Sequence, residues 1–192
     1  MARTKNFDDN DVIEKATHLF WKNGYGNTSM SALEKTMGIN KFSIYASFGN
    51  KQGVFLRSLA CYKQKLLPIV NKLKNSEQGL QAIRTYFYDS LAIYSSSAPS
   101  DQQLTSQGCL MTNTRAELKD EKDAIILKEI QAFVDYQAYL FKEKLLIEGL
   151  SDVQASKKAN YLIIAKQALS AASKVHSKQQ LDDFIDVTLS AI

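Results

Sequence analysis

The chain has 192 residues, a formal net charge of +4, 45% hydrophobic and 23% charged residues, which suits one large globular domain or two small ones. Its two cysteines, Cys61 and Cys109, make no disulfide framework. Residues 1–25 are too charged for a signal peptide, and no apolar run reaches the roughly 18 residues of a membrane span. A secreted disulfide scaffold and a membrane protein are therefore excluded, and a reducing cytoplasm is expected.

Two prolines, eight glycines and no period-two runs of β-branched residues predict an all-α fold of about nine helices. Residues 1–7, with Arg3 and Lys5, read as a loose basic arm. A first helix should start near Asp8, where Asp8, Asp9 and Asp11 complement the positive end of the helix dipole. Its buried stripe is Ile13, Ala16, Leu19 and Phe20. The segment NGYGN stops it, with Gly24 as a left-handed cap. Thr28 is the expected N-cap of a second helix, Ser29 to Met37. Gly38 permits a tight turn plugged by Ile39. Asn40 caps a third helix, Lys41 to about Phe48, and Asn50 caps a long fourth one from Lys51, which Pro68 should kink or end. A fifth helix fits Glu77–Tyr94, and SSSAPSDQQ is a loop. GCLMTNTRAEL is a short sixth helix. The seventh lies between Lys122 and Glu148, with Ile126, Ile130, Phe133, Val134, Leu140, Phe141 and Leu145 on one face. The eighth runs from about Asp152 to Ser173, the ninth from about Lys178 to Ile192.

These elements divide into a three-helix head, residues 1–52, and a larger helical bundle, residues 53–192. Charge divides the same way. Up to Lys65 there are ten Lys/Arg against five Asp/Glu; the remainder has fourteen against fifteen. A basic head on a near-neutral body points to a polyanionic partner at one end.

The second and third helices with their glycine turn form a helix-turn-helix. Leu33, Met37, Ile39, Ile44 and Phe48 can bury together with Phe20 and Phe55. Lys41, Phe42, Ser43 and Tyr45 are then left around the exposed start of the third helix, beside Asn40. An α-helix fits the DNA major groove and its N-terminal residues reach base edges. The Tyr45 hydroxyl reaches phosphate, and Thr28 and Lys51 sit at helix N-termini that favour phosphate. The alternative is a helical hairpin with a solvated basic face.

The run GYGNTSMSALEKTMGINKFSIYASFGNKQGVF resembles the N-terminal domain of the TetR/AcrR family of transcriptional regulators. Gly24, Tyr25, Thr28, Gly38, Ile39, Tyr45, Phe48, Lys51, Val54 and Phe55 match that family's pattern over roughly residues 8–60. The resemblance implies a double-stranded DNA operator as partner, with Thr28, Asn40, Lys41, Phe42, Ser43, Tyr45 and Lys51 at the interface. It also implies a C-terminal ligand-binding and dimerisation domain, and repression as the default. Two positions depart from the pattern. Phe42 replaces a frequent glycine, and Ala46 stands where a larger residue is common, so base preference does not transfer.

In the body, Tyr161, Ile164, Ala165, Ala168, Leu169 and Ala172, then Leu181, Phe184, Ile185, Leu189 and Ile192, suit a four-helix homodimer interface built from the last two helices. The alternative is an ordinary monomer core. Many aromatics crowd the fourth, fifth and seventh helices, and their hydroxyls need partners or a cavity. The candidate lining for a small-molecule effector is Tyr62, Phe87, Leu91, Cys109, Met111, Phe133 and Tyr136. GCLMTNTRAEL resembles a segment of one branch of the family in which the sixth helix closes the pocket and, in some members, the cysteine senses electrophiles. The alternative for Cys109 is a thiol packed as a small hydrophobe. Arg115 and Lys174 are candidate cations near it. No metal-ligand spacing, phosphate loop or carboxylate pair stands out, so no cofactor or metal is expected. His18 and His176 suggest no base for a cysteine nucleophile, so an enzyme is the remote reading. A DNA-binding architectural protein without a sensor is the nearer one.

Overall fold

A computed structural model of the chain describes residues 7–95, 106–119 and 123–192. Among them are nine α-helices and no strand: α1 Asp9–Asn23, α2 Met30–Met37, α3 Lys41–Phe48, α4 Lys51–Asn75, α5 Leu80–Ser95, α6 Leu110–Glu117, α7 Ala124–Ile147, α8 Asp152–Ala172 and α9 Lys178–Ser190. The basic arm before Phe7, most of the expected loop after Ser95 and the expected start of the seventh helix at Lys122 lie outside the described residues.

The head forms where small capping side chains meet a dense aromatic core. Asp8 caps α1 by accepting from the Asn10 N–H, and Asn50 caps α4 by accepting from the Gly53 N–H. Between them Phe20, Tyr25 and Phe55 pack ring on ring, with Phe20–Phe55 and Tyr25–Phe55 centroids 4.8 Å apart. Phe55 and Val54 belong to α4, so the head core draws on residues past position 52. Trp21 of α1 meets Tyr62, two turns further along α4, at 5.0 Å.

Three local expectations change. Ser29, not Thr28, caps α2, its hydroxyl accepting from the Ala32 N–H. Thr28 is fully buried and its hydroxyl is turned back to the Gly24 carbonyl, to which it donates at 2.6 Å, away from the start of α2. Gly24 has φ 83° but ψ 164°. It turns the chain away from α1 in an extended rather than a left-handed helical conformation. Finally, α4 continues through Pro68 to Asn75. Proline removes one hydrogen bond and crowds the carbonyl four residues back, at a cost of about 3 kcal/mol. Here both Pro68 and Gln64 are on the solvent side, where water satisfies the orphaned carbonyl. Tyr62 and Leu66 before it, and Val70 and Leu73 after it, are buried and anchor the helix on both sides.

In the body α7 packs along α8, and α5 lies between α4 and the α7–α9 layer. Tyr86 and Phe87 of α5 close on Phe141 of α7. Capping boxes start α8, from Ser151 with Gln154, and α9, from Ser177 with Gln180. The Lys144 ammonium donates to the carbonyls of Lys74 and Ser76 and so closes the C-terminal end of α4, where the helix dipole favours a cation.

Candidate DNA interface and effector cavity

At the helix-turn-helix, Gly38 adopts the left-handed conformation (φ 70°, ψ 23°) and its N–H returns to the Glu34 carbonyl at 3.0 Å. A β-carbon there would be strained, which is why glycine makes this turn. Two side chains then hold the start of α3. Asn40 accepts from the Ser43 N–H at 2.8 Å, and Glu34 accepts from the Lys41 N–H at 3.2 Å. Ile44 fixes the opposite face in the core. What remains outside is Asn40, Lys41, Phe42 and Tyr45, with Ser43 half-buried. Phe42 is 80% exposed and Tyr45 49%. An aromatic ring standing almost wholly in water at the tip of a helix is the informative kind of exception.

Thr28 and Lys51 do other work. Thr28 is inside the head, as above. The Lys51 ammonium donates to the carbonyls of Tyr25 at 2.9 Å and Thr28 at 3.2 Å, and lies 4.5 Å from the centre of the Tyr25 ring. It pins the loop between α1 and α2. The phosphate contacts expected of these two residues rest on the helix N-termini; both side chains are turned to carbonyls of the head itself.

The short α6 touches the head at both ends. The Trp21 indole N–H donates to the Gly108 carbonyl at 2.9 Å, just before α6. At its far end the Glu117 carboxylate accepts from the backbone N–H groups of Tyr25, at 3.0 Å, and Gly26. These are the loop residues that Lys51 pins. The long α4 runs from head to body along the chain; α6 adds a second connection, made by side chains.

Behind α6 lies a cavity bounded by Cys109, Met111, Thr112 and Arg115 of the α6 segment, by Ile130, Phe133, Val134 and Gln137 of α7, and by Ile163, Lys166 and Gln167 of α8. Its free space is about 20 Å³, roughly one water molecule, so a larger occupant has to displace α6. Three of the expected lining residues meet here: Cys109, Met111 and Phe133. Tyr62 is fully buried in α4, its ring against Trp21. Phe87 is committed to the core against Phe141, Leu91 is half-buried elsewhere on α5, and Tyr136 stacks on Tyr139 at the surface. Those three are therefore corrected. Of the two candidate cations, Arg115 borders the cavity, while Lys174 donates to Asn113 at 2.6 Å.

The sequence reading misses Lys166 and Gln137, both buried. The Lys166 ammonium donates to the Gln137 amide oxygen at 3.2 Å, and the Gln137 amide donates in turn to the Tyr86 hydroxyl. A signal exists. Lys166 falls four residues after Leu162 and three before Leu169, on the buried stripe of α8. Burial pushes the Lys166 ammonium below the usual lysine range. Burial alone pushes the Cys109 thiol up, but the Lys166 charge and the Thr112 backbone outweigh it and bring the thiol below its ordinary value. Cys109 is also the N-cap residue of α6, and its own N–H donates to the Ser170 hydroxyl at 2.8 Å.

Residues 12–57 match the family model described as bacterial regulatory proteins, tetR family. Residues 12–57 thus carry the DNA-binding head of that family. The chain is a DNA-binding transcriptional regulator, not an enzyme. Over the full length of both chains it is 25% identical to an uncharacterized HTH-type transcriptional regulator, YezE, of Bacillus subtilis. Over 61 residues, 32% of this chain and 29% of the other, it is 39% identical to the HTH-type transcriptional repressor ComR of Escherichia coli. A solved structure of the TetR-family regulator CifR, a cysteine mutant complexed with 26-bp double-strand operator DNA, superposes with a TM-score of 0.84 at 23% identity. That match covers 98% of this chain and 99% of that one. The matched residues, 12–57, run from α1 through α3 into the start of α4. Among the described residues no helix is long and apolar enough to cross a membrane.

Proposed function

We propose that this TetR-family regulator is a cytoplasmic repressor that binds a roughly palindromic operator as a homodimer and leaves it when a small molecule enters the cavity behind α6. The observation that carries the reading is the double attachment of α6. Its inner face borders the cavity, while Gly108 and Glu117 at its two ends hold Trp21, Tyr25 and Gly26 of the head. An occupant larger than water has to move α6, and α6 cannot move without disturbing the loop that precedes the helix-turn-helix. Only an effector that prefers one setting of α6 shifts DNA affinity, and operator must weaken the effector by the same factor. Cys109 gives the cavity a nucleophile, so an electrophile is one form the effector can take.

On the DNA side, Lys41, Phe42 and Ser43 are assigned to base edges, and Asn40 and Tyr45 to phosphate. For the dimer, support comes from a stripe along α8: Tyr161, Ile164, Ala168 and Ala171, all exposed, with Ile164 at 65% and Val187 of α9 at 69%. Leu169, Leu181, Ile185 and Leu189 fill the chain's own core, so the expected interface narrows to the outward residues, with Phe184 half-buried beside them.

The test is to select duplexes from a random library with the full chain, then measure affinity, stoichiometry and sedimentation on the winning sequence. The reading requires a two-fold symmetric site bound by one dimer. Recovery of no preferred sequence, with salt-dependent binding to any duplex, is the behaviour of an architectural protein and would overturn it.

A further inference from the structure

The cavity behind α6 carries an unanswered charge. Lys166 is 7% exposed and borders the cavity from α8. Its one hydrogen bond among the described residues goes to a neutral amide, that of Gln137. Among the described residues no Asp or Glu borders the cavity, while a second cation, Arg115, stands exposed at its rim. The facing wall is apolar: Met111, Ile130, Phe133 and Ile163. A buried ammonium without an anionic partner costs several kcal/mol. Proteins keep such groups where something else supplies the counter-charge.

We propose that the effector of this site is a small organic anion, a carboxylate on a short apolar body, whose charge pairs with Lys166. This rests on the reading of the cavity as the effector site and names the ligand class. The carboxylate takes the ammonium, Gln137 keeps it oriented, and the apolar body lies along Met111 and Phe133. Arg115 at the rim draws anions in. Among the described residues bordering the cavity, the group able to answer the ammonium in the empty state is the Cys109 thiol as thiolate.

Iodoacetate and iodoacetamide are a matched probe pair, nearly equal in size and differing in charge. With each, the thiolate sulfur attacks the methylene carbon, the C–S bond forms as the C–I bond breaks, and iodide leaves with the bonding electrons. The proton of the original thiol has gone to solvent beforehand. The ratio of the two rates cancels the fraction of thiolate, so it reports only on recognition of the carboxylate. An exposed thiol prefers the neutral amide reagent. Rates at Cys109 and Cys61 are read separately by peptide mass spectrometry on the intact chain, with Cys61 as internal reference. A charge-assisted contact is worth about tenfold or more, so the acid-to-amide ratio at Cys109 should exceed that at Cys61 by at least about that factor. Lys166→Met should bring it back to the Cys61 value. Independently of any variant, butyrate should protect Cys109 in the native protein and butyramide should not. Equal ratios at the two cysteines, an unchanged ratio in Lys166→Met, equal protection by acid and amide, or a Cys109 that neither reagent reaches would each overturn the assignment. Operator binding by the same sample separates the cases. A chain that binds its selected operator but shows no anion preference refutes this inference alone, and one that binds no preferred operator refutes the reading beneath it.

Discussion

The head and the body of this regulator break opposite rules. The head has an apolar core, Phe20, Leu33, Met37, Ile44 and Phe55, and places aromatic side chains outside it, at Phe42 and Tyr45. The body hides its polar groups instead: Ser90, Gln137, Lys166 and Ser170 are buried among leucines, isoleucines and aromatics. Apolar groups in water and polar groups out of water are both costly, and folding alone explains neither. The head bears its exceptions where a partner arrives from outside. In the body, two of them, Gln137 and Lys166, border the cavity behind α6. In the function proposed above, one chain carries two recognition surfaces of opposite kind, joined by α4 and by the side-chain attachments of α6.

The largest effect that separates the two regions is at the proposed dimer face. Ile164→Asp with Val187→Asp should give folded monomers that have lost more than about 100-fold in operator affinity, since burying an unpaired charge costs several kcal/mol. Leu169→Asp, by contrast, should unfold the body, because Leu169 is fully buried within one chain. Sedimentation and thermal unfolding distinguish the two; an intact dimer in the double variant rules out this face.

In the head, Tyr45→Ala should weaken binding to specific and non-specific duplexes alike and reduce their dependence on salt, as loss of a phosphate contact does. Lys51→Met should lower thermal stability first, because its ammonium is engaged with the Tyr25 and Thr28 carbonyls. A salt slope unchanged in Tyr45→Ala would remove that residue from the phosphate contacts.

A smaller effect concerns Phe42. An exposed ring entering the major groove meets thymine methyl groups. Replacing thymine by deoxyuridine at the contacted position should cost about fourfold, the worth of one buried methyl at ~0.8 kcal/mol. Phe42→Ala should bind both duplexes equally. Indifference of the native protein to every such replacement would place the ring elsewhere.

The smallest and most indirect effect lies in the body. Lys166 has a folded pKa below its unfolded value, so the unfolded chain binds more protons and stability rises with pH through that interval, up to about 10.4. The lowered Cys109 thiol acts with the same sign. Lys166→Met should therefore be the more stable protein at neutral pH, with an advantage that shrinks as pH rises. A constant difference across that range would mean that Lys166 holds its proton in the folded chain as firmly as in the unfolded one.

The same contrast decides how much is legible from residues alone. The helix-turn-helix reads well because its signals are local. Gly38 supplies a positive φ, Asn40 and Asn50 are good caps, and the core spacing of Leu33, Met37 and Ile44 needs no distant information. The capping assignment slips by one residue because Thr28 and Ser29 have the same chemistry. What separates them is the Gly24 carbonyl, which the loop brings to Thr28. Lys51 is misjudged for a similar reason. A lysine at a helix start looks like a phosphate ligand until the carbonyls of a loop more than twenty residues away are placed against it. The cavity is harder still. Periodicity marks which residues of α5 and α7 are apolar, not which inward direction holds a gap, so Phe87, Leu91 and Tyr136 are chosen together with Cys109 and Met111. Lys166 and Gln137 are visible as polar interruptions of apolar stripes, but their meaning depends on their facing each other across two helices. The attachments of Trp21 and Glu117 span 87 and 92 residues, and no local pattern reports them.

The central claim is that α6 transmits the state of the cavity to the head. The most direct measurement compares operator affinity before and after alkylation of Cys109, in a Cys61→Ser background, for the native attachments and for Glu117→Ala. We expect alkylation to weaken operator binding more than about tenfold where Glu117 is present, and to leave Glu117→Ala within about twofold of its own untreated value, since a coupling free energy of this size is typical of linked sites. Equal losses in both proteins would mean that the signal travels without α6, and no loss in either would mean that the cavity does not speak to the head at all.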